Sequence, residues 1–521
     1  MVYPSVRQPV LARNVVATSQ PLASQAGIRM LLQGGNAIDA VLAAAIALTV
    51  VEPTSNGIGS DAFAILWDGS GLHGLNASGR SPAGWTSDRF AHLDSMPTRG
   101  WDSVTVPGAV SAWVALSQKH GKLPFSKLFE PAIEYARGGY PVSPIIAESW
   151  GRAAVVFKDE PGFAGAFLPA PKAGELFRCE AMARTLELIA STGGAAFYEG
   201  ELAQRMISHC REHGGVMSLE DLATHRPEWC EPLHLSWFGY EVHEIPPNGQ
   251  GIAALIALGI LERAGIDRFE SPDDPASLHL QIEAMKLAFA DLHRYVSEPA
   301  TMEVDPYWLL SDRYLQSRAL LVEPGKAGSP APGVPPKGGT VYLTAADAEG
   351  RMISYIQSNY MGFGSGVVVP DTGISLQDRG CGFRSRPGHP NSVGPRKRPI
   401  HTIIPGFATK DGQPVMSFGV MGGPMQAQGH LQMALRVLRY GQNPQEASDA
   451  PRWQVIEDGS VAVESAMPDA SIAALRSRGH NVHVQPGWWN QAFGGAQLIL
   501  KSTDCYVAGS DQRKDGQAIG V

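Results

Sequence analysis

Gly338-Gly339-Thr340-Val341-Tyr342-Leu343-Thr344-Ala345 decides how this chain is read, because two unlike segments meet there. Upstream, Pro324 to Gly339 holds five prolines and five glycines in 16 residues, a composition that cannot build a helix or a sheet interior. Downstream, 341–345 reads as a strand, Asp347-Ala348-Glu349-Gly350 as a turn and Met352-Ile353-Ser354-Tyr355-Ile356 as the returning strand. A linker therefore delivers the Gly339-Thr340 peptide bond to the first position of a hairpin. This placement suits a chain that cuts itself to expose an N-terminal nucleophile. The Thr340 hydroxyl must reach the carbonyl that precedes it, and Gly takes up the strained backbone most readily. The amine freed by the cut can then serve the hydroxyl beside it as base. By itself the pattern also fits an ordinary loop-to-strand junction.

The rest of the sequence sets the frame. Its 521 residues allow two to four domains or one large α/β unit. At 44% hydrophobic and 18% charged residues it is a globular chain with material for a large core. A net charge of −8, with no basic run beyond Arg396-Lys397-Arg398, argues against a nucleic-acid surface. Cys179, Cys210, Cys230, Cys381 and Cys505 are scattered and odd in number, so neither a disulfide framework nor a zinc site is expected. No metal or other cofactor is implied. The start of the chain has no signal-peptide pattern, and the 12-residue apolar run from Ala40 to Val51, interrupted by Thr49, is too short to span a bilayer. A cytoplasmic protein without membrane contact is expected.

Periodicity predicts a helix from Leu22 to Leu32 ended by Gly34, and a second, alanine-rich helix capped by Asn36 and packed on a sheet. Ala62 to Trp67 alternates as a strand. Residues from about 108 to 225 read as largely helical with Gly/Pro connections, as does 276–296. In the latter, His279 is taken as structural, since no second ligand-type residue recurs at metal spacing, and Glu283 is free to pair across the helix surface. After Thr340 strands are expected at 340–358, 365–370, 402–408, 414–419 and 495–508, with helices at 426–440 and 469–478.

Four features can work with Thr340. Gly422-Gly423 lies between a strand and a helix, where backbone N–H groups can hold an oxyanion; a tight packing turn is the alternative. Arg80, on a Gly-Arg-Ser-Pro loop, can grip a carboxylate or simply be solvated. Asn359 ends the second hairpin strand, and His401-Thr402 opens another strand.

With these residues in place, the chain resembles the gamma-glutamyltranspeptidase family of N-terminal-nucleophile hydrolases over nearly its whole length. The likeness is carried by Gly34-Gly35-Asn36-Ala37, Val51-Glu52-Pro53, Pro246-Pro247-Asn248-Gly249-Gln250-Gly251, Gly339-Thr340, Lys397-Arg398-Pro399, Gly422-Gly423, Ala450-Pro451-Arg452 and Ser510-Asp511-Gln512-Arg513. The resemblance implies an α+β fold, a four-layer αββα sandwich formed jointly by a large subunit, 1–339, and a small subunit, 340–521, cut from one precursor; it leaves room for a homo-oligomer. It makes Thr340 the nucleophile, Gly422 and Gly423 the oxyanion hole, and Arg80 the residue holding the α-carboxylate of a glutamyl group. Asn359, His401, Thr402 and Arg379 fall on the substrate side. The implied activity is cleavage or transfer of acyl groups from small amides such as gamma-glutamyl compounds. Departures favour the acylase-like branch, which acts on glutaryl or cephalosporin-type amides. Gly382 stands where the family has an Asp for the donor's α-amino group, His401-Thr402 replaces Ser-Ser, and Arg379 adds a positive charge.

Overall fold

A computed structural model describes residues 7–160, 162–328, 339–486 and 491–521. Most of the Pro/Gly linker, 329–338, lies outside the described residues. Two seven-stranded antiparallel sheets form the centre. In one, the order is Gln517–Gly520, Val15–Thr18, Gly339–Ala346, Met352–Tyr360, Asp61–Trp67, Leu72–Asn76 and Glu228–Cys230. In the other it is Val10–Ala12, Tyr506–Ser510, Gly495–Lys501, Gln413–Met421, Gly406–Lys410, Tyr240–Glu244 and Leu233–Trp237. Each sheet mixes strands from before and after Thr340.

The period-2 alternation of a strand explains the layering. In the 339–346 strand, Val341, Leu343 and Ala345 face one way, into a core shared with the helices Pro21–Leu32 and Ala37–Val51. Tyr342 and Ala346 face the other way, into a core between the sheets that also holds Phe63, Ile356, Phe407, Met421 and Ile499. On the far side of the second sheet, Met416, Phe418, Val420 and Leu498 pack on the helices Gly251–Arg263, Pro275–Tyr295 and Met425–Ala434. The result is four layers, helix–sheet–sheet–helix, as the resemblance implied. Two-sided burial of both sheets is what the high apolar content supplies.

The first two helices match their sequence signals. Gly34 takes φ +87 beyond the first, and Asn36 with Asp39 forms a full capping box on the second, all 15 residues of which are buried. Elsewhere the reading needs correction. The strand expected at 365–370 shrinks to Val368–Val369, because Gly362, Gly364 and Gly366 all take positive φ and break the extended chain before it. The 402–408 strand begins only at Gly406, and the 426–440 helix ends as a π turn over Leu435–Arg439. Among the described residues, no helix is long and apolar enough to cross a membrane.

Candidate active site

Thr340 sits at an irregularity in the sheet. Gly339 pairs with Tyr360 and Val341 with Gln357, so the register slips across Thr340. A bulge of this kind re-aims a side chain that a regular strand would point into the core. Thr340 is buried, and its Oγ1 donates to the Gly339 carbonyl oxygen at 2.6 Å. The same carbonyl accepts a second hydrogen bond from Ser358 Oγ at 2.7 Å. Ser358 Oγ in turn accepts the Tyr360 N–H at 2.7 Å, and Tyr360 is held at φ +77, a conformation costly for an aromatic residue. On the other side, Gln426 Nε2 donates to Thr340 Oγ1 at 3.3 Å, while Gln426 Oε1 accepts the Ile404 N–H. The hydroxyl is thus aimed at its own preceding carbonyl by groups that leave it few other orientations.

Gly422 and Gly423 follow the 413–421 strand with φ +118 and +61 and lead into the 425–434 helix. Their carbonyls are occupied by the Met425 and Gln426 N–H groups, and the Gly423 carbonyl also accepts from Gln250 Nε2 at 2.9 Å. Among the described residues, neither glycine N–H has an acceptor. Two unengaged N–H groups at a helix N-terminus can receive a developing negative charge. A cavity of about 680 Å³ opens onto Thr340, Gly339 and Gly422, walled by Thr54, Ser55, Lys514 and one face of the helix Pro144–Phe157 that includes Ser149 and Arg152.

The predicted substrate-side residues scatter more widely. Arg80 is absent from this cavity. It lines a separate pocket of about 120 Å³ with Arg226, Arg396 and Arg398 and is paired with Glu298 and Glu228. The expected grip on a substrate carboxylate at Thr340 is not made by this geometry, because two carboxylates already claim the guanidinium. Asn359 is fully buried and spends its amide on Ser60 Oγ (2.8 Å) and Ser375 Oγ (3.0 Å); it fixes the loops behind the hairpin. His401 Nε2 lies 3.1 Å from Asp61 Oδ2. Burial, with Arg379 and Arg398 nearby, holds the imidazole well below its ordinary value, and burial pushes the Asp61 carboxyl up to about 7 despite Arg379. Both shifts run toward the uncharged form of each partner, so the contact is a buried hydrogen bond and not a fixed ion pair. Thr402 is tied to the Gly422-Gly423 turn through Gln250, whose Nε2 donates to both the Thr402 and Gly423 carbonyls. Arg379, also buried, donates from Nη1 to Thr402 Oγ1 at 2.7 Å and lies 4.5 Å from the centre of the Tyr360 ring.

Ser358 and Gln426 were missed in the sequence, and Gln250 stood in the Pro246–Gly251 motif without a role. Ser358 was within reach, since counting outward from the turn, where Ala346 faces Met352 and Val341 faces Gln357, sets it opposite Thr340. The glutamines carried no such signal. The structure also brings His480 to His279, 2.7 Å between ring nitrogens, with Glu283 beside them. These three could hold a metal by residue type, but Lys286 Nζ fills the place, 3.0 Å from Glu283 Oε1 and 3.4 Å from His480 Nδ1. Together they hold residues 323–328 at the head of the linker, through the Glu323 carbonyl and both polar groups of Gly328.

A four-layer sandwich whose central hairpin starts on a buried Thr aimed at its own preceding carbonyl is the architecture of an N-terminal-nucleophile hydrolase. Comparison with known proteins agrees. The family described as Gamma-glutamyltranspeptidase matches residues 23–521. The "glutathione hydrolase-like YwrD proenzyme" of Bacillus subtilis (strain 168) is 36% identical over 98% of each chain. The "oxamate amidohydrolase proenzyme" of Klebsiella pneumoniae is 35% identical over 98% of this chain and 99% of its own. Among solved structures, cephalosporin acylase from Bacillus halodurans superposes with a TM-score of 0.94 at 47% identity, covering 100% of this chain and 98% of that one. The chain belongs to the gamma-glutamyltranspeptidase family, and it is an enzyme.

Proposed function

We propose that this protein is a precursor that cuts itself between Gly339 and Thr340, and that the exposed Thr340 then hydrolyses or transfers acyl groups of small amides. The observation that carries the reading is the 2.6 Å contact from Thr340 Oγ1 to the Gly339 carbonyl, beside two glycine N–H groups without acceptors among the described residues. In the first step Thr340 Oγ attacks the Gly339 carbonyl carbon, the C–N bond breaks and an ester forms. Water then hydrolyses the ester, leaving a Gly339 carboxylate and a Thr340 α-amine. In turnover that amine, whose ordinary pKa of about 7.7–8.0 lies near neutral pH, takes the hydroxyl proton. Gly422 and Gly423 N–H groups hold the oxyanion, and the acyl group passes from Thr340 to water or an amine acceptor. The three relatives are named for different amides, which fits common chemistry on a variable acyl pocket. Five unpaired cysteines support a cytoplasmic setting.

A denaturing gel time course on the purified chain tests the first step; a single band that persists, together with no amidase activity, would sink the reading. Ser358→Ala removes one of the two hydroxyls on the Gly339 carbonyl. Self-cleavage is expected to slow by about tenfold, the worth of roughly one net hydrogen bond, and an unchanged rate on the same gel would dismiss Ser358.

The acylase-like alternative has an observation of its own. Gly382, in the place of the family's ammonium-binding Asp, has no room for a side chain, since a Cβ there would lie 2.9 Å from the Ile400 carbonyl oxygen. Gly382→Asp is therefore expected to lower the melting temperature without raising kcat/KM for gamma-glutamyl-p-nitroanilide. A gain of tenfold or more would restore Gly382 as the point of discrimination.

A further inference from the structure

The motif Ser510-Asp511-Gln512-Arg513 runs directly into Lys514, and the ionic residues of this stretch are not used alike. Asp511 and Arg513 are spent in a buried network with Arg452 and Glu464, at 2.5 to 3.2 Å. Lys514 is also buried, 9% exposed, but among the described residues its Nζ makes one long hydrogen bond, to Gln491 Oε1 at 3.4 Å. An ammonium has three donors, and a buried charge is normally both paired and hydrogen-bonded. The carboxylates beside it do not meet that need. Glu52 Oε1 stands 3.8 Å away, beyond hydrogen-bond reach, and is itself without a donor. The other Glu52 oxygen accepts from Ser19 Oγ at 2.5 Å, and burial raises the carboxyl pKa although Lys514 pulls it down. Asp515 accepts from Ser143 Oγ.

Lys514 lines the cavity on Thr340, together with Gly339 and Gly422. Its stem crosses Gly495, where an added Cβ would lie 2.7 Å from Lys514 Cγ. Gly495 pairs with Met421, the residue before Gly422, so the lysine stands in the wall beside the Gly422-Gly423 turn. The cavity's other ionic residues, Glu148 and Arg152, lie exposed on the helix Pro144–Phe157 and pair with each other at 2.5 Å. Lys514 is thus the buried cation of this cavity, and it has donors to spare where the reaction takes place.

Hydrolysis at Thr340 makes a carboxylate in this cavity every time. Water adds to the acyl carbon, the bond to Thr340 Oγ breaks, the hydroxyl keeps one proton of the water, and the acid leaves as its anion while the other proton passes to solvent. The first such carboxylate is that of Gly339 itself. We propose that Lys514 is a carboxylate subsite of the Thr340 cavity, which receives the acid product before it departs. The inference rests on the proposed amide chemistry of Thr340 and adds a class of ligand to it, simple carboxylic acid anions. A neutral amide has no charge to offer the ammonium, so the site holds the product more tightly than the bond it came from. Accumulating acid therefore restrains turnover.

Calorimetric titration with sodium butyrate, set against its neutral counterpart butyramide at the same ionic strength, reads the subsite without turnover. The wild type is expected to bind butyrate about tenfold or more tightly than butyramide, the range for one charge-assisted hydrogen bond. Lys514→Met should lose that preference and Lys514→Arg should keep part of it. In the cleaved enzyme, the inhibition constant of butyrate against gamma-glutamyl-p-nitroanilide hydrolysis should rise by roughly the same factor in Lys514→Met. Absence of butyrate binding to the wild type, or equal binding of butyramide, overturns the inference and needs no variant to fold. A preference or an inhibition constant in Lys514→Met within threefold of wild type overturns it as well. Lys514-dependent butyrate binding by a chain that neither cuts itself nor cleaves an anilide would uphold the subsite and count against the Thr340 chemistry alone.

Discussion

Thr340→Ala is expected to run as one 55.6 kDa chain on a denaturing gel, however long it is incubated, and to have no measurable amidase activity. The substitution removes the hydroxyl that lies on the same residue as the leaving nitrogen, so the acyl group can no longer shift from N to O within residue 340; Ser358, which also touches that carbonyl, lies on the neighbouring strand and is not expected to replace it. Removing the nucleophile from a coupled catalytic set costs on the order of 10⁴-fold or more in kcat. The fold should survive, since the buried contacts of Val341, Tyr342 and Leu343 that anchor the strand are untouched. Thr340→Ser should still cleave, more slowly, because without the methyl the hydroxyl is no longer confined to one rotamer. Two bands from Thr340→Ala would remove Thr340 from the mechanism.

The second large effect is expected at Gly422. Its φ of +118 lies where side-chain-bearing residues are strained, although the nearest atom to an added Cβ would be 3.1 Å away, at Gly494 Cα. Space is nearly available and the backbone conformation is not. Gly422→Ala should therefore fold, rotate the 422–423 turn and withdraw an oxyanion donor, lowering kcat by about 10²–10³-fold with KM little changed. Kinetics alongside a melting curve distinguish this from simple destabilisation. A variant with normal kcat would place the oxyanion elsewhere.

The parts of this protein that could be read in the sequence are those set by neighbours along the chain. Hairpin strands alternating around Tyr342, the Asn36 cap, and a glycine pair between a strand and a helix each declare themselves within a dozen residues. The Gly339-Thr340 junction was visible because a linker and a strand have incompatible compositions. What stayed hidden depends on contacts between distant segments. One edge of each sheet is formed by Val10–Ala12 and Gln517–Gly520, the latter beside Val15–Thr18, three- and four-residue strands too short to show a period. Arg80 looked like a substrate residue until Glu298 and Glu228 arrived beside it from over a hundred residues away. Gln250 and Gln426 are ordinary polar residues in the sequence and become essential braces only when 401–404 and 422–423 meet. His279 gained its imidazole partner, His480, from 201 residues further along the chain.

The interleaving of the two sheets bears on how the protein lasts. Each sheet takes strands from both sides of residue 339, so neither piece of a cut chain owns a complete sheet. Before the cut, folding is a first-order event within one molecule, and the ratio of the pieces is fixed by synthesis. After it, a molecule that opens releases two fragments, each with unpaired strand edges and uncovered apolar faces, that must find each other again by diffusion. Aggregation competes with that second-order encounter. Self-cleavage thus converts a reversible fold into a one-way assembly, whose working life is governed by how slowly it opens and no longer by an equilibrium it can return to.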